Sequence, residues 1–149
     1  MKRNSLNTFG VNFLVAGSMS RNESQLLEAA RDAAKFAYCP YSKFHVGAAL
    51  IADGVLFSGC NVENASYGLT ICAERVATFS ALAAGKKRIE AIAVTCPDAA
   101  LDAPMDYLMP CGACRQVLFE FGGPDLIVIV DRVGTMHLSE LLPNAFKLI

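Results

Sequence analysis

The stretch CAERVATFSALAAG, residues 72–85, followed almost at once by RIEAIAVTC, residues 88–96, reads as a helix stopped by Gly85 and then a buried strand. The same order recurs downstream, where CGACRQVLFEFGG, residues 111–123, is a helix closed by glycines and DLIVIVD, residues 125–131, is another buried strand. Strands alternating with helices need crossover connections, which predicts a largely parallel far edge of one sheet. Upstream, Leu26, Leu27, Ala30, Ala33, Ala34 and Ala37 recur at three- and four-residue steps, so a helix is expected from Asn22 to near Tyr38, stopped by Pro40. Asp53-Gly54 between FHVGAALIA, residues 44–52, and VLFSGCNVE, residues 55–63, reads as a hairpin turn. The chain closes with HLSELLPNAFKLI, residues 137–149, a short helix followed by Pro143 and an exposed tail.

With 149 residues, 54% of them apolar, the chain suits one compact domain with a sizeable core. Its 13 Lys and Arg against 14 Asp and Glu give a net charge of −1, with no basic field to gather phosphates, which argues against a nucleic-acid partner. No apolar run approaches the roughly 18 residues of a membrane span, so no membrane partner is expected. The N-terminal MKRNSLNTFGVNFLVAGSMS mimics a secretion signal. Its run FLVAG is shorter than the roughly 7 to 15 residues such a region needs, and Asn12 interrupts the apolar stretch before it. Residues 1–21 are therefore expected to be a disordered or tag-like extension, with Met19 a second plausible start, and residues 22–149 the domain.

Six cysteines could form three disulfides, but a core this apolar needs no staples, which points to a reducing, cytoplasmic protein. Cys111 and Cys114 lie three apart at a helix start, so both sulfurs share one face and can hold one ion. Cys72 occupies the same kind of place on the other helix. Helix N-termini favour thiolates, and three soft ligands select zinc while leaving its fourth tetrahedral position open. Cys60 or Cys96 could supply a fourth ligand and make the metal structural, but neither sits at a helix start. With Cys39, they read instead as small buried hydrophobes or idle thiols.

Glu74 separates metal storage from chemistry. Alone it would be a helix-start carboxylate favoured by the dipole. Two residues from a ligand, and paired with the downstream Pro110-Cys111, it is placed to move protons beside a Lewis acid. Three thiolates and a dication sum to −1, so a guanidinium donating to sulfur, from Arg75, would offset that charge. Arg115 could do the same, or be an exposed helix arginine.

Cys72-Ala73-Glu74 with Pro110-Cys111-Gly112-Ala113-Cys114 resembles the known pattern of the zinc deaminases, in its three-cysteine version. YSKFHVGAAL, GCNVENASY, CAER, PCGACRQV and ELLPNAF are together similar to the small homotetrameric cytidine deaminases of pyrimidine salvage, over roughly residues 22–148. The resemblance implies a three-layer α/β/α fold, a mixed five-stranded sheet with helices on both faces. It implies one zinc per chain on Cys72, Cys111 and Cys114, Glu74 as the proton carrier, and Arg75 donating to the sulfurs. Asn61 and Glu63 would hold the ribose, Phe44 would wall the pyrimidine, and main-chain groups near Ala65 and at Ala73 would read the base. Tyr67 and Phe146 would reach a neighbouring subunit's pocket, making active sites shared in a homotetramer. The implied reaction is deamination of free cytidine and deoxycytidine. A deaminase of the blasticidin S type, a structural zinc module and a nucleic-acid editing module are the alternatives.

Overall fold

The computed structural model describes residues 19–149, so the expected N-terminal extension lies almost wholly outside the described residues. Helix α1 spans Met19–Ala34, strand β1 Gly47–Ala52, β2 Val55–Cys60, helix α2 Ala73–Ala83, β3 Ile89–Thr95, α3 Met105–Leu108, α4 Gly112–Gly122, β4 Ile127–Val130, β5 Gly134–His137 and α5 Leu138–Leu141. The strands form one sheet in the order β2-β1-β3-β4-β5. Only β3 and β4 run parallel, joined by the crossover through α4; β1 pairs antiparallel with both β2 and β3, and β5 antiparallel with β4. The far edge is therefore less parallel than the helix-strand alternation predicts, because β5 returns by a tight turn and not by a helix.

Period-two alternation divides the core into two layers. Ala48, Leu50 and Ala52 of β1 face Ala73, Ala77 and Ala81 of α2 and Leu118 of α4, while Ala49 and Ile51 face Leu26 and Ala30 of α1. Helices thus cover both faces, and β1 is buried along its whole length. The alanines let the layers close. A Cβ at Gly59 would stand 2.5 Å from Ala77 N and 2.8 Å from Ala73 O, and one at Gly47 would collide with the Ala30 carbonyl. These two glycines set how closely α2 and α1 approach the sheet.

The β1-β2 hairpin turns at Asp53 and Gly54, with φ of 46° and 75°, the left-handed pair that a two-residue turn requires. Helix α1 begins three residues before Asn22 and ends short of Tyr38. Tyr38 instead donates its N–H to Asn61 O at 3.0 Å and bridges Val62, so the chain has already left the helix to join the sheet's end.

Candidate active site

Cys72 and Cys111 are the residues immediately before α2 and α4, in extended conformation with φ/ψ of −71°/154° and −68°/164°. Neither sulfur accepts a capping hydrogen bond, so both remain free at ends where backbone N–H groups point outward. Cys114 lies in the first turn of α4 and is fully buried. The Cys72 and Cys111 sulfurs are 3.9 Å apart, Cys111 and Cys114 3.5 Å, and all three lie within 4.8 Å of one another with no disulfide. Sulfurs held tetrahedrally at about 2.3 Å from zinc would stand about 3.8 Å apart. Two of the pairs stand close to that spacing, so the trio could hold a zinc ion.

Electrostatics tie the trio together. Hydrogen bonding from Cys114, opposed by burial and reinforced by Arg75, pulls the Cys72 thiol down to about 5. Cys114 keeps its proton, pushed up by that same bond and by burial. Arg75 Nη2 donates to Cys72 Sγ at 3.4 Å, and the bond holds its guanidinium firmly charged. Its buried Nε has no partner among the described residues.

Glu74 is 4% exposed in the first turn of α2. Burial, helped by the nearby Cys72 charge, pushes its carboxyl up to about 7. A carboxyl poised there can both take and give a proton near neutral pH. A dication on the sulfurs would draw it toward its charged form.

These groups open onto a cavity of about 210 Å³. Cys72, Glu74 and Cys111 form its polar end; Phe44, Val46, Val94, Leu108 and Met109 wall it, with Asn61, Thr70, Cys96 and Tyr107 completing the lining. Of the residues expected from the sequence, the fold brings Phe44, Asn61, Cys72, Glu74 and Cys111 to this one space, with Ala73 buried between Cys72 and Glu74. Cys96 lines the cavity as a buried thiol, pushed up to about 11 by burial and then by the Glu74 charge.

Asn61 and Glu63 also brace the segment that carries Phe44. Asn61 Nδ2 donates to Phe44 O and its Oδ1 accepts from Val46 N, both at 2.8 Å. Glu63 Oε2 accepts from Tyr41 N at 3.0 Å and Ser42 N at 3.2 Å, with Ser42 chief among the partners that hold the carboxyl below its ordinary range. Each side chain keeps spare hydrogen-bonding capacity, since an amide offers four sites and a carboxylate about as many.

Tyr67 and Phe146 are not among the residues lining this cavity. Tyr67 lies on a short 3₁₀ turn, largely exposed, its ring edge-on to Tyr41 at 6.1 Å. Phe146 is 68% exposed beside a separate groove of about 730 Å³, its carbonyl accepting from Gln116 Nε2 at 3.1 Å. Arg115 faces away from the sulfurs in its bonding. It donates to Pro110 O at 2.7 Å and Leu141 O at 2.8 Å, pinning the turn before Cys111 to α5. Tyr107, Met109 and Thr70 also line the cavity, and no sequence signal marks them, because single turns and short loops carry no periodicity that shows which side chains turn inward.

The family described as "Cytidine and deoxycytidylate deaminase zinc-binding region" matches residues 20–130. A cytidine deaminase of Mycobacterium tuberculosis is 48% identical over 120 residues, covering 80% of this chain and 85% of that one. A cytidine deaminase of Halalkalibacterium halodurans is 45% identical over 130 residues, covering 84% and 94%. The crystal structure of cytidine deaminase from Burkholderia pseudomallei superposes with a TM-score of 0.73 at 50% identity, covering 83% of this chain and 98% of that one. With its three clustered sulfurs and a buried glutamate beside one cavity, this chain belongs to the cytidine and deoxycytidylate deaminase family.

Proposed function

We propose that this chain hydrolyses cytidine and deoxycytidine to uridine and deoxyuridine with release of ammonia. The observation that supports it most is the convergence of Cys72, Cys111 and buried Glu74 on one small cavity with an aromatic wall. At about 210 Å³ the cavity is below the roughly 300 to 1,000 Å³ typical of pockets that swallow whole ligands. It suits a pyrimidine base, leaving the sugar at the mouth.

Cys72, Cys111 and Cys114 hold the zinc. When bound, the metal supplies Lewis acidity that brings the pKa of water to about 7. Glu74 takes a proton from water and delivers it to the ring N3 as the water oxygen bonds C4; it then takes the remaining proton of that oxygen and passes it to the amino nitrogen as the C4–N bond breaks, so the carboxylate is restored after each turnover. Phe44 flanks the base, and the Ala73 N–H, pointing outward in the first turn of α2, is free to read it along with main chain near Ala65. Asn61 and Glu63 use their spare capacity on the sugar hydroxyls. Arg75 offsets thiolate charge.

The exposure of Tyr67 and Phe146 supports the shared-site arrangement: each aromatic closes the cavity of a neighbouring copy in a homotetramer. A chain starting at Met19 should match the full chain in activity and Tm, as an N-terminal extension outside the catalytic domain requires. The chemistry belongs to pyrimidine salvage in the cytoplasm. Zinc-loaded protein should release ammonia from cytidine and deoxycytidine, and not from blasticidin S or a cytidine-containing oligonucleotide; no turnover of either nucleoside overturns the reading. Phe146→Ala should raise KM far more than it lowers Tm, and a fully active monomer by light scattering refutes site sharing.

A further inference from the structure

The main chain of Phe44 is fixed by its carbonyl accepting from Asn61 Nδ2 and its N–H donating to Ser42 Oγ, but its ring has no such clamp within its own segment. That segment, between Lys43 at φ 59° and the start of β1, belongs to no strand. The ring instead meets Tyr107, with centroids 5.5 Å apart and planes at 68°, the edge-to-face arrangement favoured by aromatic quadrupoles. Tyr107 projects from α3, a single turn held down by buried Leu108 and followed directly by Met109, Pro110 and the ligand Cys111. It lines the cavity, yet is 60% exposed, so it contributes little to the core.

We infer that Tyr107 is a positioning residue for the reaction: it acts through the ring of Phe44, setting the tilt at which that ring flanks the base. The inference rests on the deaminase reading above. Because Cys111 follows Leu108, the last residue of α3, by only three residues, the aromatic wall and this metal ligand are placed by the same short stretch of backbone. Base orientation and metal position are thereby linked through local geometry. The phenol oxygen plays no part in this role; the ring does.

The test uses the full-length, zinc-loaded chain with Y107F, Y107L, F44A and the F44A/Y107L double variant, reading KM and kcat for cytidine, zinc content and Tm. Leucine keeps apolar bulk and phenylalanine keeps the ring. Y107L should raise KM by about three- to tenfold, the scale of one aromatic pair, with kcat within twofold and zinc and Tm unchanged. Y107F should match the parent chain. In the double variant the Y107L effect should vanish, because a residue that acts through Phe44 has nothing left to act on.

A parent chain without cytidine turnover would defeat the deaminase reading itself. With the parent active, each of the following overturns the inference alone: Y107L indistinguishable from the parent; Y107F as impaired as Y107L, which would assign the role to the hydroxyl; or effects of Y107L and F44A that simply add, which would mean Tyr107 touches substrate directly. A fall in Tm that tracks the kinetic loss would make the residue merely structural.

Discussion

Replacing Arg75 with glutamine removes the positive charge that donates to the thiolate cluster from Arg75 Nη2. Three thiolates around a dication leave a net charge of −1, and Arg75 Nη2 answers it from 3.4 Å on Cys72. A hydrogen bond to a charged group contributes about 1.5 to 3 kcal/mol, a factor of about 10 to 150. Groups that orient metal ligands from behind usually change affinity by about 10- to 100-fold. The two scales agree, so R75Q should weaken zinc by about tenfold or more in competition against a chelator. Glutamine still fills part of the space, so the fold should survive. The zinc-free protein gives an independent readout: Cys72 sits at about 5, through its bonds from Cys114 and then Arg75, and should alkylate rapidly at mildly acid pH. In R75Q the midpoint of that alkylation profile should move to higher pH. Zinc affinity within twofold of the parent, with an unmoved alkylation midpoint, would refute the compensating role.

Glu74→Gln should keep zinc and Tm while losing at least about 100-fold in kcat, because the amide has the shape but cannot carry protons; equilibrium dialysis and steady-state rates check both. Gly47→Ala should destabilise by about 3 kcal/mol or more in denaturant melts, since its Cβ meets the Ala30 backbone, which cannot rotate away. Burial pushes Asp131 up, but its bonds from Arg31 and Thr95 outweigh burial and leave the carboxyl below its ordinary 3.8. The stability it contributes is therefore complete above that ordinary value and is lost as pH falls through the lower folded one. Asp131→Asn should cost about 1 kcal/mol at pH 7, discounted because Arg31 is half exposed, and its Tm gap to the parent should close on acidification below about pH 4.

What was legible in the sequence was local. Cys72, Glu74, Cys111 and Cys114 sit at two helix starts, and helix starts announce themselves through short-range pattern. The two-residue Asp53-Gly54 turn is likewise complete within four residues. Strand β5, GTMH, escaped notice because it is a short, mostly exposed edge with no apolar run to mark it. Ala37 continues the apolar spacing and so predicts a helix reaching Tyr38, whereas α1 ends at Ala34 because Tyr38 is claimed by Asn61 and Val62, far along the chain. The same non-locality hid Arg115, whose second partner is the Leu141 carbonyl, and Tyr107, whose partner is Phe44. The clamp of Asn61 on the Phe44 and Val46 backbone has no sequence signature, because it exists only with β1 and β2 side by side.

If zinc on these three sulfurs drives deamination of a free nucleoside, turnover must follow the metal. Ammonia release from cytidine should be measured on one preparation as isolated, after removal of zinc with a chelator under reducing conditions, and after restoring one equivalent of zinc. Activity should disappear with the metal and return in proportion to zinc rebound, reaching its maximum near one ion per chain. Undiminished turnover by zinc-free protein, or none by protein carrying a full equivalent, would contradict it.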